Sequence, residues 1–307
     1  MTAFLADPVS KRHDPGPGHP ECPARFDAVM KGLAGFQLTS FTPRIATEDE
    51  IALCHTRQYM RTARHEVEDG FSQLTTGDTN LCHETYDVAL RAVGTVLHAV
   101  DIVFTGQAPN AFCVVRPPGH HASANRGMGF CVFNNIALGA RYAQRKHGAE
   151  RVLIIDWDVH HGNGTQDIFY EDGSVLFFST HQYPWYPGTG ALDETGEGKG
   201  EGLTMNCPLP SGSGRPEIWQ AFQERLRPAA EKFRPDLVMI SAGFDSRAGD
   251  PLGHFKLGDR DFSDLTRSVR DIAAKYAQGR VVSVLEGGYN LYGLAKAAHA
   301  HAQALQE

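Results

Sequence analysis

The chain reads as one α/β domain, residues 1–307, built on a mainly parallel sheet with helices on both faces. Three observations carry this reading. Apolar, β-rich runs alternate with amphipathic helical stretches along most of the sequence. Several of those runs are continuously apolar, as expected for parallel strands covered on both sides. No internal repeat or low-complexity linker interrupts the alternation. Length alone would allow two domains, but single α/β domains often reach this size.

The strand candidates are 111–115 (AFCVV), 151–156 (RVLIID), 175–180 (VLFFST), 204–209 (TMNCPL), 236–241 (DLVMIS) and 281–286 (VVSVLE). Helical periodicity predicts helices over 84–104, 133–147, 216–233, 261–278 and 290–305, with one or two shorter helices in 48–68. Thr47 followed by Glu50 has the spacing of a capping box, and Gly148 is a fitting stop after His147. A hydrophobic share of 41% over 307 residues is enough for a large core.

Net charge is −7, and no run of Lys or Arg occurs, so direct nucleic-acid binding is not expected. A mildly acidic surface would help attract a cationic substrate chain. The six cysteines are dispersed and form no C-x-x-C pair, which argues against a thiolate zinc finger. No stretch approaches the roughly 20 apolar residues of a membrane span, and the N-terminus has no cleavage-like site. The expectation is a soluble cytoplasmic protein with reduced thiols, not associated with membranes; the oligomeric state stays open.

In parallel sheets, ligands bind beyond the carboxyl ends of the strands. Four candidate strands here run into polar, glycine-punctuated segments: RPPGHHA (116–122), DWDVHHGNGTQ (156–166), SAGFDSRAGDP (241–251) and EGGYN (286–290). Asp156, Asp158 and His160 are spaced by two, so an extended chain would aim all three the same way. Asp158 and His160 offer one oxygen and one nitrogen ligand, and Asp245 can add a third from a neighbouring strand. Three ligands with an open position describe a catalytic metal site. A D-x-H pair alone would equally suit a plain hydrogen-bonded strand end; His120, His121, Asp245 and Tyr289 at other strand ends favour the metal. Two adjacent histidines carry four ring nitrogens that packing alone would have to satisfy. A neutral imidazole beside a metal suits a general base that then acts as acid. The Tyr289 phenol suits a donor to a developing oxyanion, although an isolated Tyr is more often a core or rim packing residue.

These motifs, with STHQY (179–183), PGTG (187–190) and the N-terminal HDPGPGHPECPAR (13–25), occur in the same order in the histone deacetylases. The chain resembles that family over most of its length, and in particular class II members and bacterial histone deacetylase-like amidohydrolases. The resemblance implies the arginase–deacetylase fold, with a central eight-stranded, mainly parallel sheet, and hydrolysis of N-acetyl or other N-acyl amides.

Residue by residue, the resemblance implies that Asp158, His160 and Asp245 hold one zinc ion. It makes His120 and His121 the paired acid–base histidines, with His121 the proton shuttle. Asp156 supports His120 and joins Ser179 and Thr180 at a potassium site. Tyr289 polarises the acyl carbonyl. Phe130, Gly129 and Tyr186 line a narrow tunnel for the substrate side chain, and Asp78 sits at its rim. Arg25 falls beside a product channel. Phe130 and Tyr186 are also residue types that commonly pack in cores, and Asp78 one that commonly faces water. Leu252 stands where acetylpolyamine-preferring relatives carry an acidic residue, which favours acetyl-lysine side chains as substrate. Asn163 stands where some relatives have Asp beside the second histidine; its neutral amide suits an imidazole that must start uncharged. Three other readings are open: an acetylpolyamine or small-molecule amidohydrolase, a two-metal ureohydrolase using His120 and Asp156 as further ligands, and an inactive acyl-lysine binding module.

Overall fold

The computed structural model describes every residue except Met1, Leu38, Ser40 and Pro43. Seven strands form one sheet: β1 (Thr2–Ala6), β2 (Asn110–Val114), β3 (Val152–Asp156), β4 (Val175–Gln182), β5 (Thr204–Leu209), β6 (Leu237–Ala242) and β7 (Val281–Leu285). The order is β1-β2-β7-β6-β3-β4-β5, and every pairing is parallel. All six strands expected from the sequence are present. β1 is the addition: TAFLA is too short, and too close to the chain start, to stand out against a polar neighbourhood.

The eighth strand implied by the family resemblance is not found among the described residues. Next to β1, Thr39 makes one pair of contacts with Phe4: its N–H donates to Phe4 O at 3.0 Å and its Oγ1 accepts from Phe4 N at 3.0 Å. One residue so paired does not make a ladder. At the other edge, β5 carries Pro208, which cannot donate to a further strand.

The continuous apolar runs follow from burial on both faces. Along β3, Val152 and Ile154 point into one core while Leu153 and Ile155 point into the other. The first core is closed by α3 (Arg57–Glu68), α4 (Thr85–Phe104) and α5 (Asn135–His147), which follow α1 (Ala24–Gly32) and α2 (Glu48–Ile51) in the chain. The second core is closed by α1 together with α7 (Arg215–Ala221), α8 (Arg227–Phe233), α9 (Asp259–Tyr276) and α10 (Leu291–Gln306). The short α6 (Asn163–Phe169) was hidden within the polar motif after β3. The Thr47–Glu50 capping box and the left-handed Gly148 stop (φ 71°) both occur as the sequence indicates.

The single helix expected over 216–233 is divided. Residues Phe222–Leu226 form one π-helical turn between α7 and α8, where Pro228 withholds the N–H that an uninterrupted helix would need. Elsewhere, helix packing depends on missing side chains. A Cβ on Gly32, at the end of α1, would overlap the Ala295 carbonyl of α10. Gly32→Ala is therefore expected to cost about 1–3 kcal/mol, seen as a Tm lowered by several degrees in thermal unfolding, with the catalytic constants of the folded protein unchanged.

Candidate active site

Because β2, β7, β6 and β3 are consecutive in the sheet, their carboxyl ends deliver His120 and His121, Tyr289, Asp245, and Asp158 with His160 to one place. Asp158, His160 and Asp245 bring one ligand atom each to within 4.8 Å of one another, and all three are buried. His160 Nδ1 lies 3.0 Å from Asp158 Oδ1 and 3.3 Å from Asp245 Oδ2. Asp245 Oδ1 accepts from Val159 N at 2.9 Å, and Asp158 Oδ2 accepts from Gly287 N at 2.9 Å. Asp245 Oδ2 has no hydrogen-bond donor although it is buried. Burial, then repulsion from Asp158, pushes the Asp245 carboxyl up to about 7. A buried, undonated carboxylate oxygen facing a second carboxylate and an imidazole is an environment that a divalent cation would satisfy.

The even spacing of Asp156, Asp158 and His160 does not work by extended chain, as the sequence suggested. β3 ends at Asp156, and the backbone turns. Asp156 Oδ1 accepts from Asp158 N at 3.0 Å, and Asp158 Oδ1 accepts from His160 N at 2.9 Å, two successive turns closed by Asp side chains. Asp156 is thereby directed away from the triad. Its Oδ2 accepts from His120 Nδ1 at 2.9 Å. Asp156 thus supports the histidine pair, and the triad is the one group of three or more candidate metal ligands among the described residues.

The two histidines are held in different electrical states. Burial opposes a charge on His120, but the carboxylates of Asp158 and Asp156 outweigh it and push the imidazole up to about 10. A cation on Asp158 would remove part of that pull. His121 is driven well below its usual value by burial, then by His120 and His160. Its Nδ1 lies 2.8 Å from Asn163 Oδ1, an acceptor, so Nδ1 carries the proton and Nε2 is left basic. Glu286, buried at the end of β7, accepts from Gly119 N at 2.7 Å and His120 N at 3.1 Å, and so fixes the peptide that carries the pair. Neither the role of Glu286 nor that of Asp250, which binds the Tyr289 N–H at 2.7 Å, was legible in the motifs.

A cavity of about 260 Å³ opens onto this cluster. His121, His160 and Tyr289 form its floor, Gly129, Phe130 and Tyr186 its walls, and Asp78, Trp185, Pro251 and Leu252 its mouth. Phe130 adopts φ 68° after Gly129 at φ 57°, a left-handed pair that turns the ring into the cavity. A Cβ on Gly129 would overlap the His121 ring, so glycine sets the narrow bore there. The Tyr186 ring stands edge-on to His121 at 5.2 Å, and its hydroxyl donates to Asp78 Oδ1 at 3.2 Å. Asp78 Oδ1 also accepts from Gly129 N at 2.6 Å, so this exposed carboxylate is anchored, with Oδ2 left free at the rim. Trp185 and Pro251 were missed by sequence reading. Trp185 Nε1 donates to Leu252 O at 2.9 Å and closes one side of the mouth.

Burial, partly offset by Arg25, holds the Tyr289 phenol well above its usual value, so it remains a donor. Arg25 lies outside the cavity lining, with its guanidinium 5.0 Å from the Tyr289 ring centroid. It donates to Gly288 O at 2.7 Å and to Glu21 Oε1 at 3.0 Å. Ser179 Oγ pairs with His181 Nδ1 at 2.9 Å, whereas Thr180 Oγ1 is buried without a partner. Two glycines clear space for the triad. A Cβ on Gly287 would overlap Asp245 Oδ2, and one on Gly243 would overlap Asp158 Oδ2. Gly287→Ala is therefore expected to weaken metal retention by about 10-fold or more, measured as metal content during titration with a chelator.

Residues 19–305 match the family model described as the histone deacetylase domain. The chain is 43% identical to a Caenorhabditis elegans protein named histone deacetylase 6, over 94% of this chain and 32% of that protein, so it spans about a third of that relative. It is 37% identical to a Pseudomonas aeruginosa histone deacetylase-like amidohydrolase, over 94% of this chain and 82% of that protein. Among solved structures, the crystal structure of an HDA15 HD domain superposes with a TM-score of 0.94 at 38% identity, covering 99% of this chain and 89% of that one. With its seven-stranded parallel sheet and the polar cluster at the sheet's carboxyl edge, the chain belongs to the histone deacetylase family of hydrolases.

Proposed function

We propose that this protein is a zinc-dependent deacetylase acting on acetyl-lysine side chains. The observation that carries the reading is the buried Asp158–His160–Asp245 triad, with its undonated Asp245 Oδ2, whose His160 lines the floor of a cavity together with His121 and Tyr289. Two oxygens and one nitrogen from three residues suit zinc with a position left open. Bound there, zinc would supply Lewis acidity, polarising the acyl carbonyl and lowering the pKa of water.

The protein's own groups account for the remaining steps. His121 Nε2, left basic by the bond from Nδ1 to Asn163, takes a proton from the attacking water. The new C–O bond forms at the carbonyl carbon, and the Tyr289 O–H donates to the developing oxyanion. The C–N bond then breaks, and the imidazolium of His121 returns its proton to the departing amine. His120, fixed by Asp156 and Glu286, stabilises the charge changes beside it without leaving its place. The second proton of the water passes from the new carboxyl group to the amine, so the products are an ammonium and a carboxylate.

Apolar Leu252 at the mouth offers no charge to a distant ammonium, which favours a lysine side chain over an acetylated polyamine. A potassium ion at the end of β3, held through Asp156, Ser179 and Thr180, is part of the same proposal; Asp156 and Ser179 are register partners on β3 and β4, which puts their side chains on one face and supports it. The six free cysteines support a reducing, cytoplasmic setting.

The decisive experiment is a turnover panel of acetyl-lysine peptides, longer acyl-lysines and acetylated spermidine, with metal content measured on the same sample. One zinc per chain and fastest turnover of the acetyl-lysine peptide are expected; two metals per chain, or faster turnover of the polyamine, would overturn the assignment. Asp158→Ala should abolish turnover, and Tyr289→Phe should lower kcat by about 100-fold or more. Asn163→Asp places a negative charge on His121 Nδ1 and favours the imidazolium. The acid limb of the kcat/KM profile should therefore move to higher pH, by about one unit or more, with activity lost first on the acid side.

A further inference from the structure

We infer that Asp250 is a positioning residue that, with one carboxylate, sets the height of Tyr289 and the place of Leu252 at the cavity mouth. The inference rests on the role of Tyr289 proposed above. Asp250 is buried at 8% exposure in the turn after Asp245 and reaches neither the triad nor the cavity. Its two oxygens are divided between two segments. Oδ2 accepts from Tyr289 N at 2.7 Å and Asn290 N at 3.1 Å, while Oδ1 accepts from Leu252 N at 3.0 Å.

The connection is returned from the other side. Asn290 Nδ2 donates to Gly249 O at 2.9 Å, and Asn290 Oδ1 caps α10 by accepting from Gly293 N at 3.0 Å. Leu252 O in turn accepts from Trp185 Nε1 at 2.9 Å. A continuous set of hydrogen bonds therefore runs from the mouth, through Asp250, to the backbone that carries the Tyr289 phenol. Its central member faces three backbone donors, and only a carboxylate has acceptors on both branches. An asparagine has one acceptor oxygen and one NH2 group. It can hold the Tyr289–Asn290 backbone or the Leu252 N–H, but it turns a donor toward the other.

The geometry does not require Asp250 to touch substrate or metal, which separates its effect from that of the catalytic groups. Asp250→Asn should lower kcat on an acetyl-lysine peptide by about 10- to 100-fold, with KM changed by no more than about threefold and zinc content unchanged. In a Tyr289→Phe background the same substitution should have little further effect on kcat, because the group it positions is gone. Asn290→Asp keeps the α10 cap but turns an acceptor, in place of the donor, toward Gly249 O; it should show a smaller fall that also vanishes in the Tyr289→Phe background. This variant carries the test if Asp250→Asn does not fold.

Undiminished loss in the Tyr289→Phe background would overturn the inference, as would Asp250→Asn turnover equal to that of the parent. Tyr289→Phe turnover equal to that of the parent would overturn the Tyr289 assignment itself. The two failures are thus read from different variants.

Discussion

The constraint on which the rest of this structure depends is the burial of negative charge at one edge of the sheet. Asp156, Asp158, Asp245 and Glu286 are all fully withheld from water within one cluster. Carboxylates so placed repel one another and lose hydration, a cost that must be met by donors or cations. The fold meets most of it with backbone N–H groups: those of Asp158, Val159, His160, Gly287, Gly119 and His120 each point at a carboxylate. Histidines meet part of the remainder. Two carboxylate oxygens of the cluster are left without a donor, Asp245 Oδ2 and Glu286 Oε1, and of these Asp245 Oδ2 belongs to the residues that could together hold a metal ion.

This arrangement explains why the segments after the strands are rich in glycine. A donor can approach a carboxylate at about 2.9 Å only if the intervening backbone comes close, and at Gly243 and Gly287 a Cβ would occupy the carboxylate's own volume. The same crowding separates the two histidines in function. His120 faces carboxylates and holds its proton; His121 faces a neutral amide and two other imidazoles and sheds it. Acid–base asymmetry thus comes from position in one electrostatic field, between residues adjacent in sequence.

The contrast extends to the cavity. Its walls are aromatic and its floor is polar, so a chain entering it would exchange water for ring faces before its end met the polar floor. The mouth is assembled from loops that share hydrogen bonds, Tyr186 with Asp78 and Trp185 with Leu252, although they are far apart in sequence. These links tie the shape of the entrance to the backbone that supports the chemistry.

Sequence by itself determined the class of fold, six of the seven strands, and the residues that meet at the triad. It could do so because two-sided burial writes itself as uninterrupted apolar runs, and because parallel strands deliver their ends to one edge. The missed strand Thr2–Ala6 and helices Ala24–Gly32 and Asn163–Phe169 are short, and the π-helical turn before Pro228 reflects a local compromise that periodicity averages away. Tertiary structure alone decided which way Asp156 turns, that Glu286 and Asp250 serve backbone donors rather than ligands, and that Trp185 closes the mouth. Those outcomes depend on hydrogen bonds between segments tens to more than a hundred residues apart, as in the bond from Gly119 N to Glu286, and no local pattern encodes which partner a carboxylate will find.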